Sequence, residues 1–376
     1  MPKPMPHITN YLRHVRPRHL LLAALLAAVT AFRLSPALGA AYTSHIYPHI
    51  SAALSAVSGL LPFAVGDLFV TASIAWVTLY PLCATACRRL DTRAALRRTG
   101  EYLLWVYAWF YAAWGINYSQ PGIYRRTAMR PAKVQSGSFD SFARSYADSL
   151  NAAYAALDGT ARAAAYSWHT DSRYRRQAMR HIRQAYDALP GGMGINRPAA
   201  AVQPKSMLLS PLCSMAGVTG SMAPFFAEFT INADVPPHDY PATCAHEYAH
   251  FLGIANEGEA SFYSYAACTA SADPMTRFSG YYSLLFHMLG TAQALLGDAG
   301  RTRLLRSIDP GIARMARRDR AYWTARRSRI VDSAQNMVYE LYLRGNRVEG
   351  GRKSYSQVVA LAMAWEQSRR QIPNNR

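Results

Sequence analysis

The residues with the most specific chemistry form an H-E-x-x-H sequence, made of His246, Glu247 and His250. A spacing of four residues places the two histidines above one another on one helix face, where both imidazoles can bind a single Zn²⁺. Glu247 then lies beside the metal and can accept a proton from a water molecule that zinc makes more acidic. The spacing predicts a catalytic zinc site with His246 and His250 as ligands and Glu247 as general base.

A catalytic zinc ion normally has three protein ligands and one open position, so a third ligand is expected nearby. Two carboxylates follow the motif, Glu257 and Glu259. Two residues along a helix correspond to a rotation of about 200°, so both cannot face one metal ion. We favour Glu257 as the ligand and keep Glu259 as the alternative. Zinc peptidases whose third ligand is a glutamate on a second helix commonly carry a supporting Asp or Asn four residues later, where this chain has Ser261, a weaker supporting group.

The same residues also have a simpler interpretation. An H-E-x-x-H sequence arises by chance on exposed helices, and the two glutamates can be solvated acids near a helix end. In that case no metal is bound.

The elements that position the motif are expected to be mainly helical. Pro241 suits the start of the motif helix and Gly253 its end. Apolar residues recur at steps of three and four over residues 139–157 and 174–189, as in amphipathic helices. The same periodicity continues from Tyr240 nearly to the end of the chain.

A different pattern covers residues 201–235, which are rich in Ser, Thr, Phe and Val and are interrupted by glycines. This composition predicts a few short strands, one of them within residues 224–232. Glu228 on that strand either lies at an edge that pairs with an extended peptide or faces solvent.

Several other side chains are candidates for binding. An oxyanion could receive a hydrogen bond from one of four residues, although each is also a candidate for simple packing; they are Tyr263, Tyr265, His287 and Tyr355. Residues 301–329 are rich in arginine, which favours either contact with lipid headgroups or an anionic polymer, or a solvated helix face.

The overall composition favours a membrane setting. Charged residues make up 17% of the chain and hydrophobic ones 51%, which excludes a disordered or fibrous protein. The net charge of +19 suits anionic lipids or nucleic acid, but the sequence carries no nucleic-acid-binding motif. The five cysteines have no spacing typical of a disulfide framework.

Three apolar runs in the first third are long enough to cross a bilayer, at about residues 20–42, 68–87 and 102–118. The sequence thus predicts a membrane anchor over residues 1–118 and a water-soluble domain over residues 119–376. The alternative is that the three runs are buried core helices of a soluble protein.

The loops predict the orientation. The N-terminal tail and the loop at residues 88–98 are rich in arginine, whereas residues 41–57 contain no Lys or Arg. Positive charge is retained in the cytoplasm, so the domain after residue 118 is expected outside. The first run can also be read as a cleavable signal peptide, since it ends in PALGAAY. Cleavage would leave the topology of the rest unchanged.

Several phrases together resemble a bacterial membrane family known as domain of unknown function 3810. They are LPFAVGDL, WGINYSQPGI, AHEYAHFLGIANEGEASF and YLRGNRVEGGRKSYSQVVALAMAW. The resemblance covers nearly the whole chain. It implies a mainly α membrane protein with three spans, followed by an α+β zincin-like (gluzincin) metallopeptidase domain with a small edge sheet. It also supports Zn²⁺ binding by His246, His250 and Glu257, with Glu247 catalytic.

Two functions of different classes follow from these observations. The first is a zinc metallopeptidase that hydrolyses peptide bonds at the outer face of the bacterial cytoplasmic membrane. The second is a non-catalytic zinc-binding scaffold of the cell envelope. Glu247 favours the enzyme, because a binding module does not need a general base between two ligands. The expected partners are the lipid bilayer and a peptide or protein substrate, without nucleic acid.

Overall fold

The computed structural model of the protein describes residues 16–87, 89–127, 129–165, 167, 170–196, 202–333, 335–337 and 357–371. Most of these residues are helical, and one small sheet lies among them. The mainly α architecture with a small sheet agrees with the prediction from the sequence.

The N-terminal part of the described chain is helical. Its helices are α1 (Pro17–Leu34), α2 (Pro36–Ala41), α3 (Tyr47–Ser58), α4 (Val65–Ala86) and α5 (Thr92–Ala113). Two of them, α1 and α4, are long and apolar enough to cross a membrane. Only 11% and 6% of their apolar windows are buried, whereas a core helix of a soluble protein would be mostly buried. These helices correspond to the first two predicted spans.

The third predicted span, residues 102–118, does not form a helix that is long and apolar enough by the same measure. Helix α5 begins well before it and carries three arginines and a glutamate in its first half. The helix then ends at Ala113, and Gly115–Ser119 forms a 3₁₀ turn. The apolar part of α5 is therefore about three turns long, which is shorter than the width of a bilayer core.

The connection between α1 and α4 packs against the later part of the chain. A π-helical turn at Tyr42–Ile46 joins α2 to α3. Thr43 Oγ1 donates a hydrogen bond to Asn117 Oδ1 at 2.8 Å, and Lys205 Nζ donates to Ser58 O at 2.8 Å. This connection therefore lies on the same side as the domain that follows α5.

The domain after α5 is built from helices packed around a continuous core. They are α6 (Ile123–Arg126), α7 (Ser136–Ala155), α8 (Gly159–Ala165), α9 (Ser172–Asp187), α10 (Ser210–Met215), α11 (Tyr240–Phe251), α12 (Glu257–Thr269), α13 (Pro274–Ser307), α14 (Pro310–Arg326) and α15 (Gln357–Gln371). Helices α7 and α9 match the two predicted amphipathic helices. Each buries one apolar face, which includes Phe139 on α7 and Ile182 on α9. Helix α11, which carries the H-E-x-x-H sequence, packs between α9, α12 and α13.

The sheet has three strands among the described residues, β1 (Lys205–Ser206), β2 (Gly220–Ala223) and β3 (Glu228–Ile231). Strand β3 is central, parallel to β1 and antiparallel to β2. Strand β2 lies at an edge of this sheet and packs against α11. The sheet thus places one edge strand beside the motif helix.

Both positions predicted for Glu228, at an edge or facing solvent, are wrong. Glu228 lies on the central strand and is 1% exposed. Its carboxylate accepts hydrogen bonds from Lys205 Nζ and from the Gly66 backbone N–H, both at 2.5 Å. Gly66 lies in the first turn of α4, where backbone N–H groups have no partner within the helix. Glu228 therefore joins the sheet to the start of α4.

Candidate metal centre

Helix α11 ends where the sequence predicted. Pro241 lies in its first turn, and Gly253 follows its end with φ 91°, a conformation that side chains other than glycine rarely adopt. The next helix, α12, begins at Glu257, and the Asn256 side chain caps it by accepting a hydrogen bond from the Glu259 N–H at 2.9 Å. The short turn between the two helices brings Glu257 back towards the motif histidines.

His246, His250 and Glu257 form a compact triangle of candidate ligand atoms. His246 Nε2 lies 3.1 Å from His250 Nε2 and 3.2 Å from Glu257 Oε2, and the third side measures 3.4 Å. A tetrahedral zinc ion with bonds of about 2.1 Å has ligand atoms about 3.4 Å apart. The spacing and the nitrogen and oxygen donors therefore fit Zn²⁺.

The second nitrogen of each histidine also has a partner. His250 Nδ1 donates to Ile254 O at 2.6 Å, since a carbonyl oxygen can only accept. His246 Nδ1 lies 3.2 Å from Ser261 Oγ, so the serine hydroxyl contacts this imidazole although serine is a weaker supporting group than Asp or Asn. Such contacts orient the rings and leave Nε2 free to bind a metal.

The histidines and Glu257 of the triangle shift one another's pKa values. Burial alone would lower the pKa of His250, but the Glu257 carboxylate raises it to about 9. Burial would raise the pKa of Glu257, but the two histidines lower it well below its usual value. Glu257 is therefore a carboxylate that attracts positive charge, as a metal ligand must be.

Glu247 lies outside the triangle and beside strand β2. A Cβ atom on Gly220 would be 2.4 Å from Glu247 Oε1, so glycine at this position makes room for the carboxylate. Burial raises the pKa of Glu247, whereas His246 and His250 lower it. A buried carboxylate next to the ligands, with a raised pKa, has the properties of a general base.

Glu259, the alternative third ligand, points elsewhere. Its Oε2 forms an ion pair with Arg126, and its Oε1 accepts from the Ile123 N–H at 2.8 Å. Burial raises the pKa of Glu259, and Arg126 opposes that rise. Glu259 therefore fixes α6 against α12, and only Glu257 of the two glutamates lies with the histidines.

The triangle opens onto a cleft of about 1060 Å³. Strand β2, Glu247 and the three residues of the triangle line this cleft. The start of α4 and the end of α5 also line the cleft, through Asp67, Val70 and Trp114 among others. The site thus lies between the domain that follows α5 and the apolar N-terminal helices.

The four candidate oxyanion donors lie in different places. Tyr263 is fully buried and donates to Met193 O at 2.5 Å, and Tyr265 is buried in the core. His287 on α13 lines the cleft. Tyr355 lies outside the described residues. His287 is therefore the candidate that the fold brings to the cleft.

Three residues before residue 121, to which the sequence analysis gave no role in the site, support the end of the motif helix. Trp114 Nε1 donates to His250 O at 3.0 Å, and Tyr47 OH donates to Phe251 O at 2.7 Å. Gln120 Nε2 donates to Gly253 O at 2.5 Å. Carbonyl groups at the end of a helix have no partner within it, so these donors satisfy them. Nothing in the local sequence indicated these contacts, which join segments more than a hundred residues apart.

Comparison with known families matches residues 42–363 to a family described as protein of unknown function DUF3810. Comparisons with curated proteins and with solved structures give no match. The matched range contains the triangle, Glu247 and strand β2, together with most of the chain. The protein therefore belongs to the DUF3810 family.

Proposed function

We propose that the protein is a membrane-anchored, zinc-dependent peptidase with a gluzincin-like ligand set. His246, His250 and Glu257 would hold Zn²⁺, and Glu247 would act as general base. The triangle with sides of 3.1, 3.2 and 3.4 Å, beside a buried carboxylate in an open cleft, carries this proposal.

The residues of the cleft suggest how each would act. Bound Zn²⁺ would acidify a water molecule and polarise a substrate carbonyl. Glu247 would take the proton of the attacking water and give it to the departing amine. Its burial favours this role, because a carboxylate with a raised pKa exchanges protons closer to neutral pH.

Strand β2 offers a way to hold the substrate. It pairs with β3 on one side, lies at an edge of the described sheet, and lines the cleft beside Glu247. An extended peptide can add to such an edge through its backbone hydrogen bonds. Backbone pairing of this kind would place a peptide bond near the triangle without selecting a particular side chain.

The contacts of α4 and α5 favour a third crossing through α5, with the arginines of its first half at the headgroups, although its apolar part alone is shorter than the bilayer core. The two helices pack as a hairpin, with Ser73 Oγ 2.7 Å from Tyr102 OH. Both open ends of the hairpin contact the domain that follows α5. At the start of α4, Gly66 N–H donates to Glu228, and near the end of α5, Trp109 Nε1 donates to Phe225 O at 3.1 Å. The connection between α1 and α4 contacts the same domain. If α4 crosses the membrane, the chain must return through α5 to reach that side.

The charge of the hairpin turn gives the orientation that we propose. The turn and the first half of α5 are rich in arginine, which is retained in the cytoplasm. The cleft would then face the extracytoplasmic side of the bacterial membrane. A phosphatase reporter that is active only outside should be active after Arg376 and inactive after Leu90. The opposite pattern would reverse the orientation, and equal activity would refute the hairpin crossing.

The catalytic proposal is tested with the full chain purified in detergent. A peptide library is incubated with the wild type and with Glu247→Gln, and zinc content is measured in parallel. Glu247→Gln should retain zinc and the fold but lose activity by about 10²–10⁴-fold, the usual contribution of a positioned acid or base. Asp140→Asn, on the surface of α7, is the matched control and should retain full activity.

The non-catalytic scaffold gives a different outcome. The wild type would then bind zinc and cleave no peptide, and Glu247→Gln would change nothing that is measured. Cleavage by the wild type that persists unchanged in Glu247→Gln would refute the role of Glu247.

A further inference from the structure

A second cluster of ligand-type side chains lies at the other end of the motif helix. It consists of His238 and Asp239, directly before α11, and Asp319 on α14, with candidate ligand atoms all within 4.8 Å of one another. His238 Nε2 is 2.8 Å from Asp319 Oδ2 and 3.8 Å from Asp239 Oδ2. We infer that these three residues form a second site for a divalent cation such as Zn²⁺, separate from the centre at His246.

The histidine is oriented as a metal ligand would be. His238 is 2% exposed, and its Nδ1 lies 2.6 Å from Ala165 O at the end of α8. A carbonyl oxygen only accepts hydrogen bonds, so Nδ1 carries a proton, and Nε2 faces the aspartates, where a metal ion would take the place of the Nε2 proton. His250 in the first centre has the same arrangement with Ile254 O at 2.6 Å.

Asp319 has an unused acceptor. It is 4% exposed, and its Oδ2 receives hydrogen bonds from Tyr282 OH and from His238. Its Oδ1 is buried and has no hydrogen-bond partner among the residues that the structure describes. A buried carboxylate oxygen without a partner is costly, and a cation bound to it would remove that cost.

The charge balance points in the same direction. In the described part of the chain, the ion pairs of both Asp239 and Asp319 are made with His238. Two carboxylates that share one histidine retain excess negative charge, which a divalent cation would neutralise.

The residues around the second cluster indicate how an ion would reach it and what the ion would do there. Asp239 is partly exposed and lines the cleft, so a cation can reach the cluster from there. Tyr282 on α13 and Ala165 on α8 hold the ligands in place from two further helices. A bound ion would thus tie α14 to the start of α11. Its role would be to fix the helix that carries the first centre.

The experiment uses the full chain with the first centre removed by His246→Ala together with Glu257→Gln. The purified protein is stripped with chelator, loaded with Zn²⁺, desalted, and analysed for zinc by mass spectrometry. We expect about one zinc ion per chain, and about two in the wild type. Adding Asp319→Asn to the double variant should remove the remaining ion. The unfolding temperature of the double variant should rise when Zn²⁺ is added, and this rise should disappear once Asp319→Asn is also present.

The controls separate loss of the site from loss of the fold. Asp234, which accepts from Ser214 Oγ at 2.6 Å and lies near Arg326 of α14, is outside the cluster, so Asp234→Asn should keep the second ion. Asp239→Asn changes a partly exposed ligand and should weaken zinc binding by at least about tenfold. Absence of zinc from the folded double variant, or equal zinc with and without Asp319→Asn, would overturn the proposal and leave a buried histidine–aspartate ion pair.

Discussion

The two histidine–carboxylate clusters at opposite ends of α11 differ in how their residues are brought together. The first combines two residues of one helix with the first residue of the next, and its sides all lie between 3.1 and 3.4 Å. The second joins two adjacent residues to Asp319 on a distant helix, with separations of 2.8 and 3.8 Å. The first is ready for a tetrahedral metal, whereas the second must close around one.

The clusters also differ in what lies beside them. Glu247 and the edge strand β2 adjoin the first, and both line the open cleft. The second has buried Tyr282 and a backbone carbonyl as its neighbours. A ligand set with a general base beside it in an open cleft is suited to catalysis, whereas a mostly buried set that joins helices and meets the cleft through Asp239 is suited to stabilising the fold. The comparison therefore predicts a catalytic ion and a structural ion on one helix.

The largest expected effect distinguishes the two glutamates of the first centre. Glu257→Gln removes a charged ligand and should weaken zinc binding there by about 100-fold or more. Glu259→Gln should leave that affinity nearly unchanged but lower the unfolding temperature, because Arg126 loses its buried partner. Zinc titrations in the Asp319→Asn background measure the first centre alone. The reverse result would make Glu259 the ligand.

A smaller effect concerns the order of the two sites. Because the first triangle is already closed, it should hold zinc at least about tenfold more tightly than the second cluster. A graded chelator series on the wild type should therefore remove one ion before the other. His238→Gln should abolish the weaker step and leave the stronger one. Loss of the stronger step in that variant would contradict the assignment.

The zinc affinity of the first centre should depend on pH through the proton of His250. Zinc binds the neutral imidazole, and the pKa of His250 is raised to about 9 in the metal-free protein. Below that pH the proton competes with zinc, so apparent affinity should rise about tenfold per pH unit towards about pH 9 and then level off. Competition titrations across this pH range in the Asp319→Asn background test whether zinc affinity rises with pH. A flat profile would mean that His250 is already neutral at low pH.

The smallest effect concerns the N-terminal support of α11. Tyr47→Phe removes the donor to Phe251 O without changing the shape of the ring, and should destabilise the protein by about 1 kcal/mol. The end of the helix near His250 should loosen, whereas the second cluster at its other end should be unaffected. Thermal unfolding measures the loss of stability, and zinc content shows whether the second cluster still binds its ion. Tyr107→Phe removes a hydroxyl on an exposed face of α5, where it accepts a hydrogen bond from Arg33 Nη1 at 2.6 Å, and is the control for a tyrosine hydroxyl lost away from α11.

Local patterns predicted most of what depends on near neighbours. The i to i+4 spacing of His246 and His250, the start of the motif helix at Pro241 and its end at Gly253 follow from helix geometry and backbone preference. The amphipathic helices α7 and α9 follow from apolar periodicity in the same way. Each of these features is set by interactions within a few residues, which the sequence displays directly.

Patterns of charge and hydropathy predicted helix boundaries and burial less well. The apolar run at residues 102–118 predicted a full span, but the helix that contains it starts in the arginine-rich segment and ends at Ala113. Glu228 has the character of an exposed residue, yet Lys205 and the start of α4 bury it. In both cases a partner or a helix boundary elsewhere decided the outcome.

The sequence by itself identified the family and the H-E-x-x-H motif, and it favoured Glu257 over Glu259. Tertiary structure decided which carboxylate faces the histidines, because Arg126, which holds Glu259 away, lies 133 positions earlier in the chain. It also brought Asp319 to His238 across 81 positions and Tyr47 to Phe251 across 204. Such contacts form only when distant segments pack together, since no local spacing rule specifies them and their stability comes from the burial that the whole fold provides.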